Sequence, residues 1–252
     1  MPIPAESNGD LQAKPSRTLL VFMAILGAFL FALFAGLGIW QVERLQWKLD
    51  LIARVDERVN AEPVAAPGRD NWANVNRADD EYRRVTLTGT YLNDKEVLVH
   101  ALTERGAGYW LLVPMRSSDG TLTFINRGFV PKEKVDPASR PDTQISGETT
   151  VTGLLRMPEP EGFFLRPNDP ERDDWNSRDV VAFAARKNLG HVAPYFIDAD
   201  ANPDPDKVLI GGLTVVTFRN HHLSYAITWF ALAAMVVGAA IFIWRHERKL
   251  KS

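Results

Sequence analysis

Two adjacent histidines, His221 and His222, stand where a polar stretch gives way to an uncharged apolar one. The local order is Arg219-Asn220-His221-His222-Leu223-Ser224, and Tyr225 to Trp244 follows without a charge. An imidazole that enters an apolar helix needs a partner. Neutral imidazole is a good ligand for haem iron, and it also binds zinc or copper. Two neighbouring histidines without further ligands make a weak zinc or copper site. The competing reading is a polar boundary that hydrogen-bonds headgroups and water. His222 and Tyr225 lie three apart and share a helix face, whereas His221 projects about 100° away. Spacing by itself leaves haem, another metal and a plain boundary open, and it leaves His221 without a role.

Other chemistry is sparse. There is no cysteine, which excludes disulfides, thiolate metal sites and cysteine catalysis. Gly-x-Gly occurs at Gly36-Leu37-Gly38 and Gly106-Ala107-Gly108, outside any strand-to-helix nucleotide context. Neither Gly-x-Ser-x-Gly nor His-Glu-x-x-His is present. No acid–base or nucleophile constellation accompanies the histidines, so no enzyme is expected. Asp79-Asp80-Glu81 and Asp169 to Asp174 read as solvated loops. His100, among valines in a strand pattern, reads as a satisfied structural histidine, and His191 suits a helix end. The balance of 29 basic and 31 acidic residues carries no nucleic-acid signature.

The elements that must position the histidines are two apolar runs and the segment between them. About 20 apolar residues cross about 30 Å of hydrocarbon as a helix. The predicted organisation is an N-terminal tail over 1–18, a transmembrane helix over 19–40, an extramembrane domain over 41–222, a second transmembrane helix over 223–244 and a basic tail over 245–252. The first run exceeds a signal-peptide core and lacks an Ala-x-Ala site, so it reads as an anchor. Arg245, Arg248, Lys249 and Lys251 place both tails in the cytoplasm, although Arg44, Lys48, Arg54 and Arg58 follow the first span. Trp40, Trp244, Tyr225 and Trp229 suit the membrane interface. Small residues at Ala24, Ala28, Ala32 and Gly36, and at Ala231, Ala234 and Gly238, predict the faces through which the spans meet.

Residues 41–59 read as an amphipathic helix through Val42, Leu45, Leu49, Ile52 and Val55. From Tyr82 the period changes to two. Strands are predicted around 85–91, 96–102, 109–116, 121–127, 149–157, 195–198 and 213–218, with a further strand near Gln144 to Gly147. Ser118-Asp119-Gly120 signals a hairpin. One internal helix is predicted over Arg178 to Leu189, with Ser177 as its N-cap. The expected fold class is a membrane protein whose two transmembrane helices flank an α+β, mainly antiparallel β or barrel-like extramembrane domain.

Ordered matches through the chain resemble the surfeit locus protein 1 family. They begin with Gly38-Ile39-Trp40-Gln41-Val42-Glu43-Arg44 and Trp47-Lys48, and continue with Tyr82-Arg83-Arg84-Val85, Gly108-Tyr109 and Ile125-Asn126-Arg127-Gly128-Phe129-Val130-Pro131. Gly153-Leu154-Leu155-Arg156, Asn168-Asp169-Pro170, Trp175, Arg178-Asp179, Phe196-Ile197-Asp198-Ala199 and Gly211-Gly212 follow. Arg219, Asn220, His222, Leu223, Tyr225, Thr228 and Trp229 complete the series.

The resemblance implies an assembly factor of cytochrome c oxidase. It implies binding of haem a and help with its insertion into the oxidase catalytic subunit, with that subunit, the haem a synthesis machinery and the lipid bilayer as partners. The family histidine falls on His222, as ligand to the haem iron. Trp40, Tyr225 and Trp229 would flank the macrocycle, and Arg219 would pair a propionate or a lipid headgroup. The alternative is a haem-free scaffold that stabilises an oxidase assembly intermediate, with Asn126-Arg127-Gly128 as docking surface. Because Glu6 and Asp10 do not suit a mitochondrial transit peptide, the expected setting is a bacterial inner membrane with the domain in the periplasm.

Overall fold

The computed structural model describes residues 17–160, 166–201, 209–212 and 220–249. The predicted strand over 213–218 lies outside them. Two units are present, one of residues 1–52 with 218–252 and one of residues 53–217.

The first unit is helical. Helix α1 runs unbroken from Arg17 to Asn60, so the predicted first span and the amphipathic helix after it are one element. Both α1 and the helix that begins at His222 are long and apolar enough to cross a membrane.

In the second unit, strand β1 (Val64–Ala65) leads to a short helix α2 (Arg77–Asp80). Strands β2 (Arg84–Tyr91), β3 (Val97–Thr103), β4 (Gly106–Arg116), β5 (Leu122–Pro131) and β6 (Glu148–Arg156) follow, then helix α3 (Val180–Lys187) and strand β7 (Val192–Ala199). The sheet order is β1-β2-β6-β7-β5-β4-β3, and a further β2–β4 pairing closes it. Closure occurs at Thr90 opposite Arg116 and Tyr91 opposite Met115. Most pairs are antiparallel; β5–β7 and β1–β2 are parallel. Helix α4 (His222–Lys249) ends the described chain.

Alternation along the strands builds two cores. Leu111, Val113 and Met115 of β4, Ile125 of β5, and Tyr195 and Ile197 of β7 fill one. The intervening Leu112, Phe124 and Phe196 face the other, beneath Trp175 and Phe183. Both faces of these strands are therefore buried, which is why they read as near-continuous apolar runs. The predicted hairpin is present: Gly120 adopts φ +81°, and Asp119 accepts from the Thr121 amide at 3.0 Å and hydroxyl at 2.7 Å. Those hydrogen bonds, the hydroxyl's first, hold the Asp119 carboxyl below the usual carboxylate range.

Three local readings need correction. The internal helix starts at Val180, and its cap is Asp179, which accepts from the amides of Val181 and Ala182 at 3.1 Å each. Ser177 instead donates to the Pro160 carbonyl. Residues 144–147 form no strand; a 3-10 turn over Pro141–Thr143 precedes β6. Asp80 and Glu81 are buried, not solvated, because Asp80 caps the amide of Asn76 at 3.0 Å and Glu81 pairs with Arg156. The Asp169–Asp174 loop is mainly exposed, as expected. His100 is satisfied by Asp174 at 2.8 Å and by the Tyr109 ring at 4.7 Å.

Tyr195 is buried and donates to the Pro67 carbonyl at 2.7 Å. Burial pushes its hydroxyl up to about 12, against the hydrogen bonds it makes. Between about pH 10 and pH 12 the unfolded chain loses this proton while the folded chain keeps it. Stability is therefore unaffected below about pH 10 and falls as the pH rises towards 12, by about 3 kcal/mol at most. The expected result is a lower urea midpoint at pH 11 than at pH 9, and a smaller drop in Tyr195→Phe.

Candidate functional site

The spans meet along a face one step away from the predicted one. Gly38 and Gln41 of α1 are buried, as are Ala226 and Ala233 of α4. Phe34 stacks on Trp229 with ring centroids 5.8 Å apart. Ala32, Ala231 and Ala234 are exposed, and neither Gly36 nor Gly238 has a neighbour within contact range. The meeting face instead follows Gly27, Phe34, Gly38 and Gln41, a 3–4 repeat that brings α1 against α4.

Gly38 sets the closeness of approach. A Cβ there would lie 2.7 Å from Phe230 Cε1, whereas one at Gly27 would sit 4.0 Å from Val236. A disulfide engineered through Gly27→Cys and Val236→Cys reads out this geometry. Its yield is expected to fall severalfold in Gly38→Leu and to stay unchanged in Gly36→Leu, measured by gel mobility after oxidation.

One turn beyond Gly38, Gln41 reaches His222. The Gln41 Oε1 atom lies 2.7 Å from His222 Nδ1. An amide oxygen only accepts, so Nδ1 carries the proton, and in the neutral ring Nε2 then carries the free lone pair. The His222 amide donates to Asn220 Oδ1 at 3.3 Å, and the Tyr225 amide donates to the His221 carbonyl at 3.2 Å. The ring is thus held by α1 while its backbone is held by the first turn of α4. His222 is partly exposed and His221 is exposed.

The other predicted site residues are distributed unevenly. Trp229 is half-buried on α4 and supported by Phe34. Trp40 and Tyr225 are both about half exposed. Arg219 lies outside the described residues. Gln41 is the residue that sequence reading missed. It lies within Gly38-Ile39-Trp40-Gln41-Val42-Glu43-Arg44, but no local pattern links it to a histidine 181 positions away. Among the described residues, no group of three or more histidine, aspartate and glutamate side chains could hold a metal ion. What the arrangement offers is one oriented imidazole nitrogen on an apolar helix pair.

A separate polar constellation fills the β-domain. Arg156 donates to Glu81 and Asp198 at 2.8 Å each and to Glu159 at 3.1 Å. Burial works against its charge, but Asp198 and then Glu81 outweigh it and hold the guanidinium pKa above its ordinary value. Asn126 donates to Asp198 at 2.8 Å and accepts from the Gly128 amide at 3.1 Å. Arg127 lies 4.5 Å over the Tyr91 ring and donates to the Thr143 carbonyl. Asn126 and Gly128 are buried, whereas Arg127 and Pro131 are partly exposed, so this strand end is mainly internal framework.

Comparison with known proteins places these features in a family. Residues 28–234 match the model of the SURF1 family. The chain is 37% identical over 232 residues to surfeit locus protein 1 of Rattus norvegicus, covering 86% of this chain and 72% of that protein. The human protein of the same name is 36% identical, covering 83% and 72%. A SURF1-like protein of Monosiga brevicollis is also 36% identical, covering 83% of each. These and the other named relatives, from mouse, fish, frog, chicken and fly, are eukaryotic. That finding overturns the bacterial attribution and, with it, the expected bacterial inner membrane and periplasmic domain. The acidic leader residues Glu6 and Asp10 were too little to carry either.

Proposed function

Because the chain belongs to the SURF1 family, the non-catalytic assembly factors of cytochrome c oxidase, we propose that it holds haem a at His222 and helps to insert it into the oxidase catalytic subunit. The supporting observation is the His222–Gln41 hydrogen bond, which leaves Nε2 as a lone-pair donor at the head of an apolar helix. A porphyrin fills four positions of its own iron, so the protein need supply only an axial nitrogen. One oriented imidazole therefore suits haem better than it suits bare zinc or copper, which need more protein ligands. When bound, the cargo supplies the redox-active iron that the oxidase needs.

The protein's own part is to bind, orient and release. Trp229, backed by Phe34, offers an apolar wall. Trp40 and Tyr225 present half-exposed rings on α1 and α4 and would flank the macrocycle. Arg219, three positions before His222, is the cation proposed to pair a propionate. A single protein–iron bond with apolar burial permits transfer to the catalytic subunit, after collection from the haem a synthesis machinery.

The deciding measurement is the optical spectrum of the full chain purified in detergent after co-expression with haem a synthesis enzymes. Bands of bound haem a are expected. A haem-free protein that still co-purifies with the oxidase catalytic subunit would replace this reading with the scaffold.

A further inference from the structure

We infer that Gln41 is a positioning residue: it locks His222 in the tautomer that presents Nε2 and, being uncharged, keeps that ligand weak enough to release its cargo. The functional half of this inference rests on the haem reading, whereas the tautomer half does not.

The geometry carries it. The Gln41 side chain is buried, so its Oε1 has little water to turn to, and it lies 2.7 Å from His222 Nδ1. A neutral imidazole without a fixed partner exchanges its proton between its two nitrogens. Only the Nδ1–H form leaves Nε2 free as a ligand. Gln41 comes within reach because Gly38, one turn earlier on α1, has no Cβ to strike Phe230. At the other end, Asn220 Oδ1 holds the His222 amide and so fixes the backbone from which the ring projects. Ring and backbone are thereby held from two separated segments, the condition for a preorganised ligand.

The choice of an amide has its own consequence. A carboxylate at this position would also accept from Nδ1–H, but its charge would raise the basicity of the ligand and tighten its hold on a metal. The amide orients without adding charge. That suits a protein that must give up what it binds.

Three variants test this in the full chain in detergent. The first readout is the ¹⁵N spectrum of histidine-labelled, haem-free protein at a pH where His222 is neutral, with His222→Ala assigning the signal. Wild type and Gln41→Glu are expected to show a protonated Nδ1 and an unprotonated Nε2. Gln41→Leu is expected to show shifts averaged between the two forms. Gln41→Asn, whose amide is one methylene shorter, carries the same expectation should Gln41→Leu fail to fold. An unchanged spectrum in the folded variant overturns the inference.

The second readout is haem. Gln41→Leu is expected to weaken retention about 10- to 100-fold, and Gln41→Glu to slow haem release to excess apomyoglobin severalfold. Release from Gln41→Glu as fast as from wild type overturns the role assigned to the neutral amide. An Nδ1–H ring in a wild-type chain that takes up no haem upholds the positioning and sinks the haem reading instead.

Discussion

Purified His222→Ala protein is expected to lose its haem a bands almost completely while keeping its helical circular dichroism. The effect is large because His222 is, among the described residues, the imidazole that a side chain of the other span holds by one ring nitrogen, whereas the neighbouring His221 is exposed. Truncation has a second, structural consequence. It leaves the buried Gln41 oxygen without its partner, at a cost of about 1–3 kcal/mol. His222→Gln separates the two effects: an amide N–H can answer Gln41, but it offers no imidazole to iron. Loss of the bands in both variants, with near-normal melting in His222→Gln, is the pattern of an iron ligand. His221→Ala is expected to keep its spectrum. Full retention of the bands in His222→Ala would remove His222 as the ligand.

Arg156→Leu is expected to destabilise the β-domain by about 3–5 kcal/mol, because breaking a buried ion pair leaves an uncompensated charge. Here two buried carboxylates lose their shared guanidinium partner at once. Glu81 and Asp198 both point their carboxylates at Arg156 from buried positions. For a domain of this size the loss corresponds to a melting temperature lower by roughly 6–20 °C. Arg178, 2.8 Å from Glu159 and 3.8 Å from Asp198, provides only partial cover. Combining Arg156→Met with Glu81→Gln and Asp198→Asn is expected to recover part of the loss, since no buried charge then stands alone. Thermal unfolding of the full chain in detergent, followed by circular dichroism, checks both expectations. A wild-type melt in Arg156→Leu would show that the cluster does not hold the domain together.

The same cluster explains several residues that carried the family resemblance. Asn126, Arg156, Arg178 and Asp198 come from β5, β6, the approach to α3 and β7, and they converge on one buried knot. As sequence they were separate short motifs, with nothing to show that they touch. Asp80 and Glu81 misled for a related reason. In sequence an acidic triplet looks solvated; the arginine delivered by β6 makes the burial of Glu81 tolerable, and the Asn76 amide and Arg83 do the same for Asp80.

Local chemistry made some elements legible from residues alone. The two spans follow from uncharged length, the Asp119-Gly120 hairpin from a turn that requires positive φ, and most strands from alternating or continuous apolar runs. Each of these depends on neighbours within a few positions. The helix cap was misplaced by two residues because serine and aspartate cap equally well, and the tertiary bond to the Pro160 carbonyl claimed Ser177.

What the sequence by itself determined was the two apolar, membrane-length helices, the strand-rich domain between them in the chain, and the family. Tertiary structure alone decided which faces of the spans meet, that the sheet closes through β2 and β4, and that Gln41 holds the histidine. The physical reason is range. Hydropathy, periodicity and turn chemistry act over a few residues and can be read along the chain. A hydrogen bond across 181 positions exists only because a glycine without a Cβ lets two helices close on each other.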